Sequence, residues 1–178
     1  MDEVNKSILV DLMKKHGSDI KRIIYSYVND EKIAEDLTQD TFVKVFKHLD
    51  TFNDQSNIHT WIVRIAINTA KDYLKSAFYR KITFGLGNKE EVDKKGTPET
   101  FVVKKAWNEK LLEHVLALPI KYKEVLILFY YKDLTVAEMS DILNKSPHTI
   151  KTRLRRAKDR LKKQMGEEEQ EWRKIYQI

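Results

Sequence analysis

The sequence predicts an all-α protein, with two small helical domains joined by a flexible linker. Apolar residues recur at helical spacing along most of the 178 residues, and no run favours strands strongly enough to indicate a sheet. Glycine and proline are scarce, and three of the five glycines fall in one segment, the predicted linker at residues 81–104. The predicted units are an N-terminal domain (1–80), a C-terminal domain (105–165) and a tail (166–178).

Three amphipathic helices are predicted in the N-terminal domain. Apolar spacing indicates the first at residues 4–28, where Gly17-Ser18 is expected to weaken or split it. The turn signal Asn29-Asp30 separates it from the second helix. The third covers residues 57 to about 76, and the hydroxyl of Ser56 is its candidate N-cap.

A helical pattern returns at Glu99, near the end of the predicted linker, and continues into the C-terminal domain as far as Leu118-Pro119. The following segment, Tyr122–Tyr131, is so apolar that we predict it to be the centre of a second core.

A helix-turn-helix follows this apolar segment. Thr135-Val136-Ala137-Glu138 is a capping box, in which the threonine hydroxyl accepts from the Glu138 amide and the carboxylate reaches back. Asn144 tolerates the left-handed turn conformation, Ser146 fits the N-cap of the next helix, and Pro147 fits its first position. The spacing of the second helix directs four apolar residues inward: Ile150, Leu154, Ala157 and Leu161.

The net positive charge is concentrated in this second helix and the turn before it. Residues 145–163 hold nine lysines and arginines against one acidic residue, a local charge of +8, whereas the whole chain carries +6. The rest of the chain therefore sums to −2. A polyanion is the natural partner for such a patch, and the alternative is a solvated basic helix.

Two short helices around a tight turn, the second basic at its exposed start, form the arrangement that enters the DNA major groove. Threonine and arginine near the helix N-terminus can reach base edges, and flanking cations can meet phosphates. A helical hairpin that only packs is the alternative. If the chain binds DNA, its affinity falls steeply with salt, with a log–log slope of about −0.9 per phosphate contacted.

An acidic cluster lies on the second helix of the N-terminal domain, formed by Glu35, Asp36 and Asp40. Three interpretations are open: a divalent metal site, a solvated face, or a docking surface for a basic partner. A metal site needs a further converging ligand and a substrate pocket, and the sequence shows neither. We therefore predict no metal and no cofactor.

The third helix interleaves aromatic and cationic residues between His59 and Lys81. Such a segment can stack unpaired bases while its cations hold the nucleic-acid backbone. Aromatic residues at helical spacing belong more often to a core, so Trp61 and Tyr73 are expected to be at least partly buried.

Several classes of protein are excluded by composition. Cysteine is absent, which excludes disulfides, zinc fingers and thiol chemistry. The start of the chain lacks the apolar stretch of a secretory signal. The longest apolar run, Val125–Tyr131, is far shorter than the about 20 residues of a membrane span. The sequence predicts a cytoplasmic protein that is not itself a membrane protein.

Two parts of the chain resemble regions of bacterial RNA polymerase sigma factors. AEDLTQDTFVKVFKHLDTF (34–52) and HTWIVRIAINTAKDYL (59–74) resemble region 2. LPIKYKEVLILFYYKDLTVAEMSDILNKSPHTIKTRLRRAKDRLKK (118–163) resembles region 4. Two such blocks in this order, joined by a short linker, are similar to the compact extracytoplasmic-function (ECF) group.

The resemblance implies a non-catalytic initiation factor that binds core RNA polymerase and promoter DNA. Region 2 of the family docks on the clamp coiled coil of the β′ subunit, region 4 on the β flap, and the linker threads toward the RNA-exit path. By position, the β′ contact is assigned to Asp36, Gln39 and Asp40. The family also implies an anti-sigma factor, often membrane-bound, that holds the protein inactive.

The resemblance also implies which residues contact the promoter. Asn68 falls at a base-contacting position for the −10 element, and the cations near it are backbone contacts. The full −10 set is Asn57, Arg64, Asn68, Lys71 and Lys75. The −35 set is Ser146, His148, Thr149, Lys151, Thr152, Arg153, Arg155 and Arg156. Many family members have glycine where His148 stands, so their promoter preference does not transfer.

Two other classes of protein are weighed against this one. A stand-alone LuxR-type regulator shares the helix-turn-helix pattern, but it would carry a receiver or ligand-sensing domain, usually α/β. A metal-dependent nucleic-acid enzyme would use the acidic cluster and require magnesium for turnover.

Overall fold

The computed structural model describes residues 2–52, 57–83 and 109–165, and the regular structure in these ranges is entirely helical. The chain divides into two units, residues 1–97 and 98–178. The all-α, two-domain prediction is confirmed. Among the described residues, no helix combines the length and apolar character needed to cross a membrane.

The first unit is a bundle of three helices that pack against one another: α1 (Asp2–Val28), α2 (Glu31–His48) and α3 (Ile58–Thr83). Helix α1 is continuous, so of the two effects expected at Gly17-Ser18 the split is wrong, whereas a local weakening is compatible with the structure. A Cβ added at Gly17 would meet nothing within 4 Å. The glycine therefore costs only its helix propensity, about 1 kcal/mol, which the packing of a long helix outweighs.

The core of the first unit takes side chains from all three helices. The fully buried ones include Ile20, Ile24, Val45, Ile62 and Ile67. The apolar face of α3 is wider than its sequence pattern indicated, because Val63, Ile67 and Ala70 are buried as well. Trp61 and Tyr73 are half-buried, as expected.

Local signals define where the helices of the first unit start. Asn29 has a φ of 54°, and the Asp30 carboxylate accepts from the backbone N–H of Ile33 at 2.8 Å, which caps α2. The side-chain oxygen of Asn57 accepts from the N–H of His59 at 2.9 Å, beside the start of α3. Ser56, the predicted cap, lies outside the described residues.

Two histidine side chains contact each other between α1 and α3 within this bundle. The Nδ1 atoms of His16 and His59 are 3.2 Å apart, and the two ring centroids are 4.8 Å apart. His16 is buried and His59 half-buried.

The described residues of the second unit, 109–165, form four α-helices and one π-helical segment. They are α4 (Glu109–Ala117), α5 (Ile120–Leu126), the π segment (Ile127–Tyr131), α6 (Val136–Leu143) and α7 (Pro147–Met165). Helices α4, α5 and α6 all pack on α7. The start of the predicted helix at Glu99, most of the predicted linker and the tail lie outside the described residues.

The predicted apolar segment does form the centre of the second core, since Val125, Leu126, Ile127 and Leu128 are almost fully buried. Sequence reasoning missed that α5 also buries two charged residues, Lys123 and Glu124. The Lys123 ammonium donates to the carbonyl of Leu116 at 3.3 Å, and burial lowers the pKa of Lys123 to about 8.

We predict that replacing this buried lysine stabilises the protein. Because the pKa of Lys123 is about 8 when folded and 10.5 when unfolded, the unfolded state binds more protons above pH 8, so wild-type stability rises there. Lys123→Met should increase the free energy of unfolding at pH 7 by up to about 3 kcal/mol. The difference in free energy of unfolding between Lys123→Met and wild type should shrink between pH 8 and pH 9.5. Urea unfolding at a series of pH values measures it.

The matched control is Lys145→Met, which removes an exposed lysine from the same unit. It should leave both the stability and its pH dependence close to wild type. A constant difference between Lys123→Met and wild type from pH 7 to 9.5 would contradict the prediction.

Candidate nucleic-acid interface

Helices α6 and α7 form the predicted helix-turn-helix, and its capping box is present. The Thr135 hydroxyl accepts from the N–H of Glu138 at 3.2 Å, while the Glu138 carboxylate accepts from the N–H of Thr135 at 2.8 Å. The hydrogen bond from the Thr135 backbone, followed by that from its hydroxyl, lowers the pKa of Glu138. The start of α6 is therefore confirmed.

The turn between the two helices is closed by Ser140. Asn144 adopts the left-handed conformation, with a φ of 49°, as predicted. The Ser140 carbonyl accepts from the N–H groups of Asn144 and Lys145, and the Ser140 hydroxyl donates to the Lys145 carbonyl. These bonds satisfy backbone groups at the end of α6 that the helix itself leaves unpaired.

The start of α7 is also as predicted. Pro147 is the first helical residue, and the Ser146 hydroxyl accepts from the N–H of Thr149 at 3.2 Å. The two hydroxyls of Ser146 and Thr149 are 2.9 Å apart. Ser146 therefore has a structural role as the N-cap of α7, whether or not it contacts a ligand.

Burial of its apolar face orients α7. All four residues predicted to point inward are buried: Ile150, Leu154, Ala157 and Leu161. Of the residues predicted to contact the −35 element, Ser146, His148, Lys151, Arg155 and Arg156 are exposed, and Thr149, Thr152 and Arg153 are half-buried. We call His148, Lys151, Thr152 and Arg155 the α7 stripe, since spacings of three and four residues place them on one side of the helix.

Arg153 lies outside the α7 stripe. Its guanidinium donates to the Glu124 carboxylate at 2.8 Å, and the exposed side-chain fractions are 21% for Arg153 and 3% for Glu124. The pair joins α7 to α5. A contact between Arg153 and DNA remains a prediction.

The second half of the basic stretch packs partly on aromatic rings of its own unit. The Lys158 ammonium lies 5.6 Å from the ring centroid of Phe129 and 5.4 Å from that of Tyr130, and burial lowers the pKa of Lys158. The Arg160 guanidinium lies 4.9 Å from the ring centroid of Tyr122. Because these cations contact aromatic faces, the basic patch is not uniformly directed toward solvent.

Helix α3 carries a polar and cationic face, which we call the α3 face: Arg64, Asn68, Lys71 and Lys75. Their spacing of three and four residues places them on one side of the helix. Asn57 lies seven residues before Arg64, a distance of about two helical turns, and so precedes this face in the same direction. Lys71 is half-buried, with its ammonium 5.8 Å from the ring centroid of Tyr27, and the other members are exposed.

Aromatic side chains accompany the α3 face at both ends. Trp61 packs against Phe52, with ring centroids 5.1 Å apart. Phe78, which the site prediction did not include, is 63% exposed near the other end. The interleaved aromatic and basic sequence was the signal that could have identified it.

Helix α2 exposes a separate surface, which we call the α2 face: Asp36, Gln39 and Asp40. Their spacing of three and four residues brings them to one side of the helix. Glu35, by contrast, lies 3.9 Å from the Lys21 ammonium, which also contacts Glu31 at 3.3 Å. The structure therefore separates Glu35 from the other two acidic residues. Among the described residues, no group of three or more His, Asp or Glu side chains could hold a metal ion.

Comparison with known families finds two matches in this chain. The family described as Sigma-70 region 2 matches residues 12–77, and the family described as Sigma-70, region 4 matches residues 108–161. The RNA polymerase sigma factor YlaC of Bacillus subtilis is 30% identical over 172 residues, covering 95% of this chain and 98% of YlaC. The ECF RNA polymerase sigma factor SigW of the same organism is 28% identical over 169 residues, covering 90% of each.

Two solved structures resemble this chain in fold. The sigma factor RpoE, in complex with the anti-sigma factor NepR from Bartonella quintana, has a TM-score of 0.70 at 21% identity, covering 89% of this chain and 96% of RpoE. CnrH, in complex with the cytosolic domain of CnrY, has a TM-score of 0.64 at 20% identity, covering 90% of this chain and 88% of CnrH.

We predict that two substitutions at Ser146 separate helix capping from ligand contact. Ser146→Ala should lower the free energy of unfolding by about 1 kcal/mol, whereas Ser146→Asp keeps a capping oxygen and should leave it nearly unchanged. If Ser146 lies at the DNA contact, as predicted, the aspartate should nevertheless weaken binding to duplex DNA, because its negative charge would repel the phosphates. Urea unfolding and fluorescence anisotropy measure the two effects. Equal stability of the alanine variant and wild type would contradict the capping role.

Proposed function

This chain belongs to the RNA polymerase sigma factors, in the extracytoplasmic-function group that includes its relative SigW. From that premise, we propose which side chains contact the polymerase and the promoter. As a member of that group, it binds core RNA polymerase and directs promoter-specific transcription initiation. We propose that the α2 face docks on the clamp coiled coil of the polymerase β′ subunit. The α3 face contacts the −10 element and the α7 stripe contacts the −35 element.

One observation carries this assignment. Within the first unit, the residues assigned to polymerase and those assigned to DNA lie on different helices, α2 and α3, and each set occupies one side of its helix. Separate exposed faces allow one small domain to hold a protein and a nucleic acid at the same time. The stand-alone regulator is not favoured, because a region 2 match covers residues 12–77.

The α3 face supports capture of unpaired −10 bases. The Asn68 amide offers both a donor and an acceptor to a base edge, whereas Arg64, Lys71 and Lys75 carry charges suited to the phosphate backbone. Trp61, half-buried against Phe52, offers an aromatic surface for stacking next to the segment that holds Asn57. Opening of the duplex would then be favoured because the unpaired strand gains these contacts.

The α7 stripe supports recognition of the −35 element in the major groove. Arg155 and Lys151 can donate hydrogen bonds to the O6 and N7 acceptors of guanine. The hydroxyl of Thr152 can donate to or accept from a base edge. Ser146, Thr149 and Arg156 flank the stripe and suit contacts to phosphate or sugar. We also propose that the second unit docks on the β flap of the polymerase.

We propose further that the protein has no catalytic activity of its own, uses no cofactor, acts in the cytoplasm and is held inactive by an anti-sigma factor. The support is family membership together with the solved relatives: RpoE is bound to the anti-sigma factor NepR, and CnrH to the cytosolic domain of CnrY. A membrane-bound form of that inhibitor is common in the family.

Reversing one charge on the α2 face should weaken binding to core RNA polymerase. Asp36→Lys should raise the dissociation constant at least about tenfold, because like charges would then face each other across the interface. Titration of the fluorescently labelled protein with purified core enzyme, followed by anisotropy, measures this change.

The matched control is Asp11→Lys, which makes the same charge change at an exposed position of α1. It should bind core enzyme like wild type. If the two variants lose the same affinity for core enzyme, or if Asp36→Lys loses none, the α2 face is not the polymerase-binding surface.

Two substitutions on the α3 face should have different effects on −10 DNA. Asn68→Ala should reduce discrimination at a single base position by about tenfold, since a base-edge contact carries sequence information. Lys75→Ala should weaken binding to every single-stranded −10 sequence alike and reduce the salt slope by about 0.7, the value for one phosphate contact on a single strand. Binding of the holoenzyme to single-stranded −10 oligonucleotides with one base changed at a time tests both.

Lys14→Ala, an exposed position on α1, serves as the control for loss of one positive charge. If Asn68→Ala keeps full discrimination at every position, Asn68 does not contact a base.

A further inference from the structure

We infer that Arg153 is a positioning residue for the recognition helix: through the buried Glu124 carboxylate on α5, it holds α7 in the orientation that binds the −35 element. The inference rests on the proposed −35 role of the α7 stripe. It changes the part assigned to Arg153, from a contact with DNA to a contact within the protein.

The geometry of the pair supports this role. A hydrogen bond of 2.8 Å joins the Arg153 guanidinium to a Glu124 oxygen, and only 3% of the Glu124 side chain is exposed. A carboxylate removed from water requires a cation or other donors around it, so the arginine has a strong reason to stay where it is. A charge-assisted bond of this kind also has a defined direction.

The position of Arg153 on α7 leads to the same conclusion. Successive residues of an α-helix are about 100° apart, so Arg153 projects well away from its neighbour Thr152 in the α7 stripe. Its side chain is only 21% exposed, whereas Arg155 and Arg156 are exposed to solvent. To reach a base, Arg153 would have to leave a buried carboxylate without this partner.

The Arg153–Glu124 pair also provides a directional contact, which apolar packing lacks. Ile150, Leu154, Ala157 and Leu161 press α7 against the core, but apolar contacts are not directional and tolerate small rotations or shifts. The directional hydrogen bond from Arg153 on α7 to Glu124 on α5 favours one rotation of the helix. That rotation decides which way the α7 stripe faces.

The experiment compares four variants as holoenzymes with core RNA polymerase: Arg153→Ala, Glu124→Gln, the double variant Arg153→Met with Glu124→Met, and Arg155→Ala as the control. Arg155→Ala removes an exposed arginine from the same helix. Binding to duplexes carrying each single −35 base change gives the affinity and base preference, and a salt series gives the slope. Circular dichroism identifies a temperature at which every variant is folded, so that a loss of stability does not count as a loss of binding.

We expect Arg153→Ala and Glu124→Gln each to weaken −35 binding by about tenfold, equally for all sequences and without a change in salt slope. Glu124 is buried, so an effect of its substitution on DNA binding cannot come from a lost contact between Glu124 and DNA. The double methionine variant should recover most of the affinity, because an apolar pair of similar size can replace a buried ion pair. Arg155→Ala should instead relax one base preference or reduce the slope by about 0.9.

Three results would overturn the inference. Relaxed preference at one base, or a lower salt slope, in Arg153→Ala alone would mean that Arg153 contacts DNA. Unchanged −35 affinity of folded Arg153→Ala and Glu124→Gln would mean that the pair serves stability alone. If the wild-type and Arg155→Ala holoenzymes both bind all −35 sequences equally well, the proposed −35 function is wrong. This inference, which rests on that function, is then wrong as well.

Discussion

Burial of an apolar stripe on every helix is the constraint on which the rest of this protein depends. Each unit is small, and small domains stay folded only when most of their apolar surface leaves water. In the first unit, Ile24, Val45 and Ile62 bring three helices together, and in the second Val125 and Leu161 do the same for α5 and α7. Once those faces are turned inward, the rotation of each helix is restricted to a narrow range, and its polar side chains are left on the surface as ordered rows.

The two buried charges of α5 illustrate the limits of that constraint. Lys123 and Glu124 are adjacent, yet their situations differ. Burial disfavours the charged form of Lys123, and its described hydrogen bond goes to a backbone carbonyl, so the lysine opposes folding. Glu124 meets the guanidinium of Arg153 and so ties α5 to α7. A purely apolar core would be more stable, but it would specify the rotation of α7 less narrowly.

The surface rows of the first unit explain how a small domain can serve two partners. Acidic and polar side chains lie on α2, whereas cations and an amide lie on α3, so the two rows carry opposite charge. Because a polyanion such as DNA is repelled by Asp36 and Asp40 and attracted by Arg64 and Lys75, it is directed to the α3 face. The α2 face is thereby left for the polymerase. The division of labour that we propose therefore has an electrostatic basis as well as a geometric one.

For the described residues, the sequence by itself determined the all-helical fold, the caps of α6 and α7 and the inward face of α7, because these follow from local rules of spacing and hydrogen bonding. The Thr135 capping box and the left-handed Asn144 are examples. Only the tertiary structure decided that α1 continues through Gly17, that Lys123 is buried, and that Arg153 pairs with Glu124. Helical periodicity places a residue on a face of its own helix. What lies opposite that face depends on residues distant in the chain, and a partner 29 positions away leaves no local signal.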